Sequence, residues 1–183
     1  MENFREKLNN LMDDSNREKI IWDDDITERF FIENNIAKTD EYFIFLKEHG
    51  NDYLVENYAY KVTNNQSIIK EEYLDIFGFY GLNQGNDNIY DKITYFRDIL
   101  NDKYIPIADV SGGDLICMAK DTAAIYLWRH ESSNSEMIKL VDSFKEFVEG
   151  IEPFEENIDL DKIEMNIQDD ILAQMRELAK NYK

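Results

Sequence analysis

Cysteine occurs once, at Cys117, so an internal disulfide framework is excluded. The residue lies in an apolar run, where a buried, inert thiol is expected rather than a nucleophile. Histidine occurs twice, at His49 and His130, which leaves little for a metal centre. His130 is followed directly by Glu131, but neither the Cys pair of a zinc deaminase nor a His-Glu-x-x-His helix is present. Asp23-Asp24-Asp25 and the run 159–164 (DLDKIE) lack the spacing and the central glycine of a calcium loop. No metal and no cofactor are therefore expected. Basic residues are also scarce: 20 Lys and Arg stand against 39 Asp and Glu, a net charge of −19. Phosphate contacts supply most of the affinity of nucleic-acid binders, so that class is disfavoured, as is an anionic membrane surface. A basic protein is the natural electrostatic complement, and plain solubility is the other reading of the charge. No apolar run approaches the about 20 residues a membrane helix needs. MENFREKLNN has no apolar core and does not read as a signal peptide, so a cytoplasmic protein is expected.

What is present is a core. Eleven Phe and eleven Tyr among 183 residues argue against disorder over most of the chain. Phe4, Leu8, Leu11 and Met12 fall on one helix face. Asp13 to Asn16 break that pattern. Asp25-Ile-Thr-Glu28 has the form of a capping box opening a second helix with Ile26, Phe30 and Phe31. A third helix starts near Thr39 or Asp40, carries Tyr42, Phe43, Phe45 and Leu46, and stops at His49-Gly50. Alternation then predicts strands over 53–62, with Tyr58, Tyr60 and Val62 on one face, and over 73–80. Asn64 to Ser67 and Asn83 to Asn88 read as loops. Ile89, Ile93, Phe96, Ile99 and Leu100 form the stripe of a further helix, with Asp87 as its expected cap.

Three short apolar runs follow, around Ile105–Ile107, Leu115–Ala119 and Ala124–Trp128. Their connections are too short for parallel crossovers, so an antiparallel meander is predicted. Pro106 suggests an edge or a strand start. A further strand is expected over 137–141. Ser143-Phe-Lys-Glu146 is another capping box, opening a helix with Phe144, Phe147, Val148 and Ile151 as its stripe, and Pro153 ends that unit. Ile171, Leu172, Met175, Leu178, Ala179 and Tyr182 line one face of a C-terminal helix. The fold class is therefore α+β.

The stretch IPIADVSGGDLICM (105–118) tests for chemistry. A phosphate cradle needs a longer glycine loop opening a helix. Here Asp114 and a strand follow, and the flanking aspartates repel an anion. A turn with φ > 0 accounts for Gly112-Gly113 with nothing added. No Gly-x-Ser-x-Gly element is present, and Ser111 has no histidine near it in sequence. No catalytic residue is nominated.

Taken in order, IPIADVSGGDLICM, IYLWRHE (125–131) and DSFKEFV (142–148) resemble the SUKH superfamily, of the Smi/Knr cell-wall-regulator type, over roughly residues 25–154. Two departures stand out. Lys38-Thr39 replace the usual Leu-Pro, and Asp109 falls one place early. The resemblance implies a single curved, mainly antiparallel sheet flanked by helices; 1–24 and 155–183 lie outside it and read, from their own periodicity, as helical extensions. It implies a binding module and not an enzyme. The expected function is a cytoplasmic immunity protein that binds and occludes a cognate polymorphic or contact-dependent toxin, whose toxin domain is expected to be basic. The alternative is a regulatory or scaffolding module that binds an endogenous protein. The C-terminal stripe either packs on the core or mediates self-association.

Tight neutralisation needs about −12 kcal/mol, which diffuse charge does not supply; aromatic anchors in a dry patch do. Loops carry such sites more often than core strands. Tyr80 and Tyr90 flank the Asn-rich loop, with Asn83, Asp87 and Asp91 beside them, and these five form the candidate partner-binding set. Ordinary partial burial is the other reading of the two tyrosines.

Overall fold

The computed structural model describes residues 2–13, 20–50, 52–63, 69–131 and 137–154. The expected breaks at 14–16 and 64–67 and the C-terminal helix lie outside them.

The elements run in the order α1 (Glu2–Leu11), β1 (Met12–Asp13), α2 (Asp24–Glu33), α3 (Asp40–Glu48), β2 (Tyr53–Leu54), β3 (Tyr58–Lys61), β4 (Tyr73–Leu74) and β5 (Ile76–Phe79). Then follow α4 (Ile89–Phe96), β6 (Tyr104–Val110), β7 (Leu115–Ala119), β8 (Ile125–Trp128), β9 (Met137–Val141), α5 (Phe144–Glu149) and β10 (Ile151–Pro153). The main sheet is antiparallel throughout, in the order β5-β6-β7-β8-β9. Two smaller antiparallel ladders accompany it, β10-β3-β4 and β1-β2. The architecture is thus α+β, a curved antiparallel sheet flanked by helices.

Register shows how the sheet is covered. Phe79, Ala108, Ile116, Leu127 and Ile138 are cross-strand partners in succession and share one face. Phe79 meets Phe45 of α3 at 4.9 Å between ring centroids, and Phe45 meets Phe144 of α5 at 5.1 Å, so these helices cover that face. Trp128 points to the opposite face and meets Phe96 of α4 at 6.0 Å. The middle strand β7 is buried along its whole length, which is why its sequence is a continuous apolar run without alternation. The predicted stripe of α1 is spent on the same core: Phe4, Leu8, Leu11 and Met12 are buried, and Phe4 meets Phe144 edge-on.

Several local expectations need correction. Asp23, not Asp25, caps α2, accepting the Asp25 N–H at 2.8 Å, and with Ile26 three residues on there is no capping box. Asn88, not Asp87, caps α4, its Oδ1 accepting the N–H groups of Tyr90 (2.9 Å) and Asp91 (3.1 Å). That helix ends at Phe96 and leaves Ile99 exposed. The 53–62 run is two strands, broken at Asn57, whose φ is +66°. Pro106 lies inside β6, not at its start. A register shift between Pro106 and Ala108 accommodates the missing N–H, and β5 pairs only from Ala108 onward. Ile151 belongs to β10 rather than to the helical stripe.

Candidate functional site

The loop between β5 and α4 is shaped by its own backbone. Gly81 N–H donates to Asp87 O at 3.1 Å, Asn88 N–H to Gly85 O at 3.1 Å, and Ile89 N–H to Gly81 O at 2.8 Å. Gly85 sits at φ +128°, open to glycine and strained for other residues. The Asn83 carbonyl accepts from Asn88 Nδ2 at 2.7 Å, so one asparagine both caps α4 and pins the loop.

The structure divides the five predicted residues. Tyr80 is 1 % exposed and presents no face to a partner. Its hydroxyl donates to Asp109, and the Lys92 ammonium lies 4.4 Å from its ring centroid and 3.9 Å from Asp109 Oδ2. Burial, then the hydrogen bond and charge of Asp109, push its phenol well above the ordinary range. Tyr80 is therefore the floor of the loop. Asn83, Asp87, Tyr90 and Asp91 lie nearer the surface, Asp91 exposed and the other three half-buried. Tyr90 stands edge-on to Phe30 of α2 at 5.5 Å, and its phenol is also raised, by burial first and by Glu33 next.

Sequence reasoning missed a neighbour. Trp22, just before α2, donates its indole Nε1–H to Asn83 Oδ1 at 3.1 Å and its backbone N–H to Lys47 O at 3.0 Å. The contact spans 61 residues of chain. The only local signal was a half-apolar stretch, Ile20-Ile21-Trp22, leading into three aspartates.

The glycine doublet closes the β6–β7 hairpin. Gly112 and Gly113 have φ of +88° and +91°, and Val110 N–H reaches Asp114 O at 2.9 Å. Asp114 is 9 % exposed; its Oδ1 accepts the His130 backbone N–H at 3.1 Å and lies 2.9 Å from His130 Nδ1, and its Oδ2 is 3.3 Å from Arg129 Nε. Arg129 in turn donates to both oxygens of Glu71, at 2.7 and 3.3 Å, and that hydrogen bonding holds the Glu71 carboxyl below its ordinary range. Asp114 and Arg129-His130 therefore lock two strands together. Cys117 is fully buried in β7, and burial pushes its thiol far above the usual range, away from thiolate chemistry.

A separate open hollow of about 610 Å³ lies beside α2, with Phe31, Ile32 and Ile36 on its wall and Lys38 and Lys120 at its rim. Its cations are engaged: Lys38 with Glu28 at 3.1 Å, Lys120 with Asp102 at 2.6 Å. It holds none of the predicted set. Among the described residues no group of three or more His, Cys, Asp or Glu side chains is placed to hold a metal ion, and no helix is long and apolar enough to cross a membrane.

Comparison with known proteins agrees with this anatomy. The SPbeta prophage-derived uncharacterized protein YokK of Bacillus subtilis (strain 168) is 35% identical over 101 residues, 52% of this chain and 53% of that protein. The chain thus spans about half the length of the curated relative it matches. The model of the SMI1 / KNR4 family (SUKH-1) matches residues 39–150, from the Thr39 cap of α3 to the Gly150 cap of α5. That span holds the glycine hairpin, the Asp114 lock and the capped helix α5, and on it the chain belongs to the SMI1 / KNR4 family (SUKH-1).

Proposed function

We propose that this protein is a cytoplasmic immunity protein, which binds a cognate toxin domain and neutralises it by occlusion. The observation that carries the reading is the family match over 39–150. The chemistry of the motif residues supports it. The motif residues that invite a catalytic reading are spent on structure: the doublet turns a hairpin, Asp114 ties Arg129 and His130, and Cys117 is buried. A net charge of −19 suits a partner that is itself basic, as a domain that grips phosphates is, and steers encounter at up to about 10⁸–10⁹ M⁻¹s⁻¹ in low salt.

The test is co-expression with a candidate toxin domain taken from a neighbouring gene. Relief of killing, with a complex that survives gel filtration, is the expected result. Unchanged killing rejects the reading for that pair. A gene that stands without such a neighbour, and a chain that co-purifies with one host protein, would mark it instead as a regulatory or scaffolding module.

A further inference from the structure

We infer that the approach to α2 and the loop before α4 form one docking surface, with Trp22 and Tyr90 as its anchors, for a protein segment that presents lysine or arginine around an apolar centre. The inference rests on the protein-binding reading above and gives it a place.

Contacts join the two halves into a ring. Trp22 is bonded to Asn83, and Asn83 to Asn88. Asn88 caps the helix that carries Tyr90, and Tyr90 meets Phe30. Phe30 lies one helical turn beyond Ile26, which returns the ring to the start of α2. Apolar surface is left open along this path: Ile20 is 49 %, Ile21 62 % and Ile26 40 % exposed, and Trp22 and Tyr90 are each half-buried. Trp22 is held at both its backbone and its indole, so little freedom remains to be lost when a partner covers it. Rigid aromatic anchors of this kind dominate binding at protein interfaces.

Charge selects the occupant. Asp23 and Asp25 lie at the mouth of α2, and Asp87 and Asp91 on either side of the Asn88 cap of α4, so both elements of the path begin among carboxylates. Lys47 is engaged with Asp24, and Lys92 with the Tyr80 ring and Asp109, while exposed Arg29 stands close enough to Tyr90 to act on its phenol. The helix α2 itself carries one cation, Arg29, against Asp24, Asp25, Glu28 and Glu33. A nucleic acid or an anionic lipid is repelled here, and a second copy of this acidic chain is as well. A basic segment with an aliphatic or aromatic centre satisfies both the rim and the floor. The Tyr90 half lies inside the family-matched span and the Trp22 half outside it.

The two tryptophans make the test internal. Trp22 sits in the surface, whereas Trp128 is 8 % exposed beneath α4 and serves as the control. The full chain is labelled with 5-fluorotryptophan, and W22F assigns the two fluorine resonances. It is then titrated with three synthetic peptides: lysines flanking leucine and tryptophan, the same lysines flanking serine, and glutamates flanking leucine and tryptophan. The first peptide is expected to move the Trp22 resonance and not that of Trp128, and the other two to bind at least about tenfold more weakly. The double variant Asp87→Lys, Asp91→Lys should keep both resonances in place and lose about tenfold in affinity for the first peptide. A Trp22 signal unmoved at millimolar peptide, equal shifts of both signals, equal binding of the serine peptide, or a Trp22 shift produced by protein concentration alone would each overturn the assignment. The titration contains no toxin, so its outcome is independent of the co-expression result.

Discussion

Asp114 shows how much one side chain holds in this fold. Its carboxylate accepts from a backbone N–H, lies against an imidazole and meets a guanidinium, all from the 129–130 corner. Asp114→Ala removes the acceptor of the part-buried His130 N–H and a partner of Arg129, and should cost about 1 kcal/mol in urea unfolding. Asp114→Asn keeps an acceptor and should lose less; equal losses would show that the charge, not the hydrogen bond, is what counts. Position by position, the sequence was readable where backbone conformation alone decides. Gly112-Gly113 needed positive φ, and a turn followed. It was not readable where the deciding partner is distant. The Asp114 contact reaches 16 residues along the chain, and nothing local announces it. Tyr80 is the same lesson reversed. A tyrosine suits a rim or a core equally, and only the placement of Asp109 and Lys92 against it decides for the core.

At the level of elements, periodicity found the helices and strands but not their neighbours. The stripe of α1 was plain in Phe4, Leu8, Leu11 and Met12, yet its partners, α3 and α5, come from much later in the chain. Because Leu8 is fully buried there, Leu8→Ala should destabilise the whole fold by about 2–5 kcal/mol, read as one shifted unfolding transition. A small early transition with an unchanged main one would mean that α1 unfolds on its own. Boundaries slipped where two residue types compete for one role. Asp87 and Asn88 are both good caps, and the loop's own hydrogen bonds place Asn88 at the helix mouth. Ile151 fits a helical stripe by spacing, but Gly150 ends the helix and Tyr60 receives Ile151 as a strand partner. The candidate surface was half legible for the same reason. Its loop announces itself by Asn and Gly, while Trp22 joins it from 61 residues away.

The whole molecule is governed by its charge. At −19 the folded chain repels itself, and compaction brings those charges closer. Raising sodium chloride from about 50 mM to about 500 mM shortens the screening distance severalfold. The urea midpoint should rise over that range, while association with a basic partner, followed by stopped flow, should slow. The two trends run in opposite directions. A midpoint that falls with salt would mean that attractive ion pairs such as Arg129–Glu71 outweigh the repulsion.

The ladder β10-β3-β4 has its middle strand near residue 60 and one flank near residue 151. During synthesis, therefore, Tyr58–Lys61 leaves the ribosome with one edge bare and stays so until Ile151 emerges. A nascent chain halted before that point keeps an unfilled strand position, which makes this edge the place where stalled or truncated copies would stick to one another.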